Sequence, residues 1–121
     1  MSNLTIIDYE KIRLYHGKFD LMTGEDFEQY CGILLDELGF SRIKFTKKSK
    51  DHGVDIIATI FDSTFSIQCK CSGDPIGVSA VRDVFAGKFI YKSDVAVVMT
   101  NSSFTEQAKE EADILGVKLW G

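Results

Sequence analysis

Apolar positions from Phe27 onward recur at spacings of three and four: Phe27, Tyr30, Cys31, Leu34, Leu35 and Leu38. That rhythm gathers them on one stripe of a helix made for burial. Thr23 reads as its N-cap, with Asp26 three residues on as an abbreviated capping box, and Gly39 as its stop signal. Glu28 lies beside the stripe, at the margin of whatever the helix covers. Residues 40–46 then read as a short strand with Ile43 and Phe45 on one face. Residues 54–61, rich in β-branched side chains, and residues 64–70 predict two further strands joined over an Asp62-Ser63 turn. In the later strand Phe65, Ile67 and Cys69 alternate with Ser66, Gln68 and Lys70, so Gln68 and Lys70 share a face.

After a Ser-Gly-Asp-Pro-Ile-Gly loop, residues 79–91 predict a helix with Val81, Val84, Phe85 and Phe89 inward. The unbroken apolar run at 95–99 fits a strand covered on both faces. Ser103 with Glu106 reads as the capping box of a helix that ends at Gly116, and residues 117–120 close the chain as a strand. The order αβββαβαβ implies an α/β fold with an αβββαβ core and a further αβ. Its mixed central sheet is flanked by helices, the second half being built from right-handed βαβ units. Residues 1–20 fit neither a period of two nor one of 3.6. They are expected to form a separate segment that covers an edge or supplies a dimer contact, and residues 21–121 to form the single domain.

Composition adds limits. The chain has 121 residues, 45% hydrophobic and 26% charged, with a single proline, which suits one domain able to bury a core without disulfides or metal. Its three cysteines suggest no disulfide framework and favour a reducing compartment. No apolar stretch is long enough to span a bilayer, and no basic flank precedes an apolar core at the N-terminus. A soluble, cytoplasmic protein without a membrane partner is the expectation.

The net charge of −4 speaks against a nucleic-acid partner only until its distribution is read. Arg42, Lys44, Lys47, Lys48 and Lys50 place five positive charges within nine positions, with no acidic residue among them. Local field, not total charge, decides whether a phosphate backbone is attracted. On the charges alone, phosphate contact and a solvated basic loop both stay open.

The second and third strands carry the chemistry. A hairpin over Asp62-Ser63 predicts Asp55 opposite Lys70 and Ile57 opposite Gln68, which gathers a carboxylate, a carboxamide and an ammonium on one patch. Such a patch suits phosphodiester hydrolysis. A hard cation such as Mg2+ takes oxygen ligands, often one or two carboxylates plus water and substrate phosphate. Asp55 offers one ligand, and the Gln68 side-chain oxygen or the Cys69 carbonyl another. Lys70 can orient or deprotonate the attacking water, and Glu28 can add a further carboxylate. By residue type alone, an ordinary solvent-facing Asp–Lys pair remains the plainer reading.

From Leu21 to Trp120 the chain resembles the Mrr-like (type IV restriction) endonuclease family of the PD-(D/E)XK superfamily. The stretches that carry the likeness are Gly24-Glu25-Asp26-Phe27-Glu28, Leu38-Gly39-Phe40 and Asp51-His52-Gly53-Val54-Asp55. Gln68-Cys69-Lys70, Thr100-Asn101-Ser102-Ser103-Phe104-Thr105 and Leu119-Trp120 complete it. The resemblance implies a restriction-endonuclease-like fold. It makes Asp55 the metal carboxylate, Gln68 the replacement for the usual Asp or Glu, Lys70 the catalytic lysine and Glu28 a support of the metal site. It also implies DNA as substrate and Mg2+ as cofactor, with Mn2+ able to substitute. Cys69 stands where the family usually has Ala, and Cys71 where a basic residue usually follows the lysine.

Thr100 and Asn101 end a buried strand just before a helix N-terminus, a place that suits phosphate, so Asn101 joins the basic residues as a candidate DNA contact. A helix cap and a turn would equally account for this run. A double-strand break needs two sites, which makes a homodimer the expected assembly. Two other readings use the same fold: a silent module that only binds DNA or protein, and a nuclease selective for structured or junction DNA. A thiol or zinc protein built on the cysteines is disfavoured, because Cys69 and Cys71 fall on the core face.

Overall fold

A computed structural model describes residues 22–46 and 53–121. The expectations for residues 1–20 and for Lys47, Lys48, Lys50 and His52 lie outside the described residues. Helix α1 (Gly24–Glu37) opens at Thr23, whose Oγ1 accepts the Asp26 N–H at 3.1 Å while Asp26 Oδ2 accepts the Thr23 N–H at 3.2 Å. The box satisfies two donors that no helical carbonyl can reach. At the other end Gly39 N–H donates to Asp36 O and Phe40 N–H to Leu35 O, a Schellman closure resting on a φ of 98° at Gly39. The chain then reverses into β1 (Ser41–Phe45).

Strands β2 (Ile56–Ile60) and β3 (Ser63–Lys70) follow, then α2 (Val78–Ile90), β4 (Val95–Thr100), α3 (Glu106–Leu115) and β5 (Lys118–Trp120). The sheet runs β1-β2-β3-β4-β5, with β1, β2 and β3 antiparallel and β3, β4 and β5 parallel. This is the mixed sheet that the element order implied. One face packs on α1 through Phe27, Cys31, Leu35, Ile56, Ala58, Ile67 and Val97. The other packs on α2 and α3 through Val54, Val81, Val84, Ala96, Val98 and Ala108. Each fully buried aliphatic side chain here stabilises the fold by about 1.5–3 kcal/mol. Among the described residues, no helix is long and apolar enough to cross a membrane.

Three expectations need correction. The hairpin turns at Phe61 and Asp62, with φ of 48° and 66°, and not at Asp62-Ser63. Two left-handed residues in succession give the turn whose twist matches paired strands. Ile57 therefore pairs with Ser66, and Ile56 with Ile67. Asp55 is not opposite Lys70, nor Ile57 opposite Gln68.

Helix α3 is capped by Thr105, whose Oγ1 accepts the Ala108 N–H at 3.1 Å, and not by Ser103. A parallel bridge between Ile76 and Phe104 keeps the chain extended two residues longer, with Ser103 O accepting the Ile76 N–H. Phe89, expected inward, is 64% exposed. The buried stripe of α2 runs Ala80, Val81, Val84 and Gly87, and Phe89 falls off it, resting edge-on against Phe85.

Candidate active site

Asp55 enters the sheet through a break in alternation. Val54 is buried on the α2–α3 face and Ile56 on the α1 face, two positions that an unbroken strand would put on the same side. Ile56 is the ladder partner of Ile67, yet the Asp55 N–H also reaches the Ile67 carbonyl, at 2.8 Å. Asp55 is thus an extra residue in the β2 edge of the hairpin, a bulge of the kind that re-aims a side chain. Its own carbonyl accepts the Thr46 N–H at 2.9 Å, and its Oδ2 accepts the Cys69 N–H at 2.8 Å. The carboxylate therefore lies against the Gln68–Cys69 peptide.

Gly53 sets up this bend. It sits at φ 76°, and a Cβ there would stand 2.5 Å from Asp83 Cβ and 2.8 Å from the Asp83 carbonyl carbon. Only glycine allows both the left-handed backbone and the approach to α2. Thr46 Oγ1 donates to Val54 O at 2.6 Å and closes the other side of the entry.

On β3, Gln68 is only 5% exposed, and among the described residues its Oε1 has no hydrogen-bond partner. A buried oxygen left unpaired costs about 1–3 kcal/mol, and such atoms are few in folded proteins. Lys70 is the last residue of β3 and is exposed. Its carbonyl accepts the Thr100 Oγ1 hydrogen at 2.6 Å.

Cys69 points the other way, into the α1-side core, as its place in the alternation predicted. Its thiol is held well above its ordinary pKa, first by a hydrogen bond with Cys31, then by burial, and then by its electrostatic interaction with Cys31, Asp55 and Glu28. Those last contributions bring the Asp55 and Glu28 carboxylates within electrostatic reach of the Cys69 thiol. Glu28 is half-buried on α1. Among the described residues no three His, Cys, Asp or Glu side chains group so as to hold a metal ion. A cation here would draw on the Asp55 carboxylate, the Gln68 oxygen and water, a hard-oxygen set that suits Mg2+ better than a thiolate metal. The unpartnered Gln68 oxygen beside a carboxylate-bearing bulge fits such an ion.

Arg42 and Lys44 are both exposed on β1, the edge strand, where Arg42 has φ 52° and the pairing register shifts. Asn101 spends its carboxamide on one residue: Oδ1 accepts the Ser72 N–H at 2.8 Å and Nδ2 donates to Ser72 O at 3.1 Å. The bond from Thr100 to Lys70 has no signal in the Thr-Asn-Ser run, which suits a cap, a turn or a phosphate contact equally well. A cavity of about 430 Å3 beside α1 is walled by Tyr30, Leu34, Leu38, Met99 and Trp120 among others, and by none of Asp55, Gln68 and Lys70.

The Mrr_cat family model, described as restriction endonuclease, matches residues 19–121. No curated protein matches. AF1548, a protein of unknown function with a crystal structure, is 24% identical with a TM-score of 0.64, over 76% of this chain and 54% of its own. The DNA modification-dependent restriction endonuclease AspBHI is 23% identical with a TM-score of 0.63, over 92% of this chain and 30% of its own. A repair endonuclease from Pyrococcus abyssi is 19% identical with a TM-score of 0.57, over 84% of this chain and 47% of its own. The chain thus spans about half or less of each of these proteins. At such identities the likeness establishes the restriction-endonuclease-like fold. With a family match that runs from residue 19 to the last residue, the chain belongs to the Mrr_cat restriction endonuclease family.

Proposed function

We propose that this domain is a metal-dependent DNA endonuclease that hydrolyses phosphodiester bonds at Asp55, Gln68 and Lys70. The observation that carries the reading is the buried Gln68 Oε1 without a partner, next to a bulge that presses the Asp55 carboxylate onto the Gln68–Cys69 peptide. An oxygen kept dry and unpaired is a poor way to stabilise a fold and a good way to await a cation.

Asp55 and the Gln68 oxygen would hold Mg2+, or Mn2+ in its place, with Glu28 adding negative charge from α1 and the Cys69 carbonyl a further oxygen. Bound there, the ion would polarise the scissile phosphate and lower the pKa of water. The other duties fall to the chain itself. At the exposed end of β3, Lys70 as an ammonium would orient the attacking water and balance charge on the phosphate, and as the neutral amine would take the water's proton. Arg42 and Lys44 line the adjacent edge strand, which the Thr46–Asp55 hydrogen bond ties to the site. They are the natural contacts for flanking phosphates, together with Lys47, Lys48 and Lys50. The role of Asn101 in this scheme is to hold Ser72, with DNA contact secondary. A double-strand cut would take two copies of the site, hence a homodimer, and restriction or defence is the setting in which we place it.

The test is incubation of supercoiled plasmid with the protein in Mg2+, in Mn2+ and in chelator. Nicked or linear product in the first two and none in the third supports the reading. Cleavage unaffected by chelator would remove the metal from it.

A further inference from the structure

The end of β3 runs past Ile67, its last residue laddered to β2, and is fastened from β4 by the parallel ladder and by side chains from the end of that strand. Lys70 pairs with Thr100 as the last step of the parallel ladder, and Thr100 is itself only 7% exposed. The Thr100 hydroxyl donates to Lys70 O at 2.6 Å and accepts the Ser102 N–H at 3.1 Å, so both of its capacities are used. Two residues past Lys70, the Asn101 carboxamide takes both the N–H and the carbonyl of Ser72, at 2.8 and 3.1 Å. A carboxamide that pairs with both groups of one residue imitates the peptide of a neighbouring strand. Ser102 Oγ then donates to Asp74 O at 2.9 Å, and the Ile76–Phe104 bridge closes the seam. Strand β4 thus ends, yet its following residues continue the ladder with side-chain atoms along 70–76.

From this geometry we infer that Thr100 and Asn101 are positioning residues that fix the backbone of Lys70, and with it where the ammonium stands. The inference rests on the nuclease reading and deepens it. An exposed lysine at a strand end has four rotatable side-chain bonds, and a frayed backbone beneath it would add more freedom. Fixing the backbone removes that part of the disorder before substrate arrives. An ångström of misplacement at such a group costs about 10²-fold in rate.

The experiment compares wild type, Thr100→Val, Thr100→Ser, Asn101→Ala and Lys70→Ala, each checked for folding by thermal melting. Plasmid cleavage in Mg2+ is measured across DNA concentration, and amide hydrogen exchange across residues 70–76. Thr100→Val and Asn101→Ala are expected to lower kcat by about 10- to 100-fold with KM within about twofold. Exchange at Lys70 and Ser72 should rise in both variants. Thr100→Ser, which keeps the hydroxyl, should restore kcat to within about threefold of wild type. In a Lys70→Ala background, Thr100→Val should add no further loss, since residues acting as one unit are not additive. Wild-type cleavage with unchanged kcat in Thr100→Val and Asn101→Ala overturns the positioning role and leaves the nuclease standing. Faster exchange without a fall in kcat does the same. No cleavage by wild type, or equal cleavage by Lys70→Ala, overturns the nuclease reading and this inference with it.

Discussion

The Cys69 N–H donates to Asp55 Oδ2 at 2.8 Å, a ladder bond made by a side chain because the Asp55 carbonyl is turned toward Thr46. The carboxylate is therefore a structural acceptor, and in the proposed site it is also the charged group. Two substitutions separate those duties. Asp55→Asn keeps an oxygen for the Cys69 N–H, and its melting temperature should stay close to wild type. Asp55→Ala leaves that donor unpaired and should cost about 1–3 kcal/mol. Under the proposed metal role of Asp55, both should lose cleavage by roughly 10²-fold or more. A denaturant melt alongside a plasmid assay reads the two effects.

Gln68 should trade stability for function. Its Oε1 is buried without a partner among the described residues, so Gln68→Leu, apolar and of similar size, should raise stability by about 1 kcal/mol while abolishing cleavage. Added Mg2+ should raise the melting temperature of wild type by mass action and leave that of Gln68→Leu unmoved. A variant that is destabilised, or that still gains from Mg2+, would show that the oxygen serves some other partner.

Gly53 should tolerate nothing larger. A Cβ at φ 76° would stand 2.5 Å from Asp83 Cβ and within 2.9 Å of Asp83 backbone atoms, and backbone cannot swing aside as a side-chain tip can. Gly53→Ala should cost about 1–3 kcal/mol and move Asp55 out of place. Cleavage should fall further than the change in folded population explains, which assay well below the melting temperature will show.

Cys69 gives the fold a pH dependence on the alkaline side. Its thiol pKa is raised in the folded state by the Cys31 hydrogen bond, by burial and by electrostatic interaction with Cys31, Asp55 and Glu28. A thiol harder to ionise folded than unfolded contributes stability that is complete below the unfolded value of about 8.5. That stability is lost as pH rises from there through the folded value. Melting temperature should therefore drop between neutral pH and pH 10 more steeply in wild type than in Cys69→Ala. The same protonated thiol should react slowly with alkylating reagents at neutral pH.

Much of this was legible in the residues. The period-3.6 stripe from Phe27, the Thr23–Asp26 cap and Gly39 fixed α1 almost to the residue, because capping is local chemistry. The order of elements gave the mixed sheet. What failed were the places where a longer-range contact overrode a local preference. Phe61 holds a left-handed conformation at 92% exposure, which nothing in an aromatic residue advertises, so the turn was placed one residue late. The Asp55 bulge depends on Gly53 closing onto Asp83, a pairing of residues thirty positions apart. Ser103 looked a better cap than Thr105 until the Ile76–Phe104 bridge extended the chain past it. Asp55, Gln68 and Lys70 enter the proposed site by their type and order in the chain. The hydrogen bond from Thr100 to Lys70 was not legible, since a threonine at a strand end has many ordinary uses.

The most direct test of the central claim is the single-turnover rate of DNA cleavage in Mg2+ for wild type, Asp55→Asn and Lys70→Ala, all shown to melt alike. The account predicts metal-dependent cleavage by wild type and a rate at least about 10²-fold lower in each variant. Equal rates in the three proteins would contradict it.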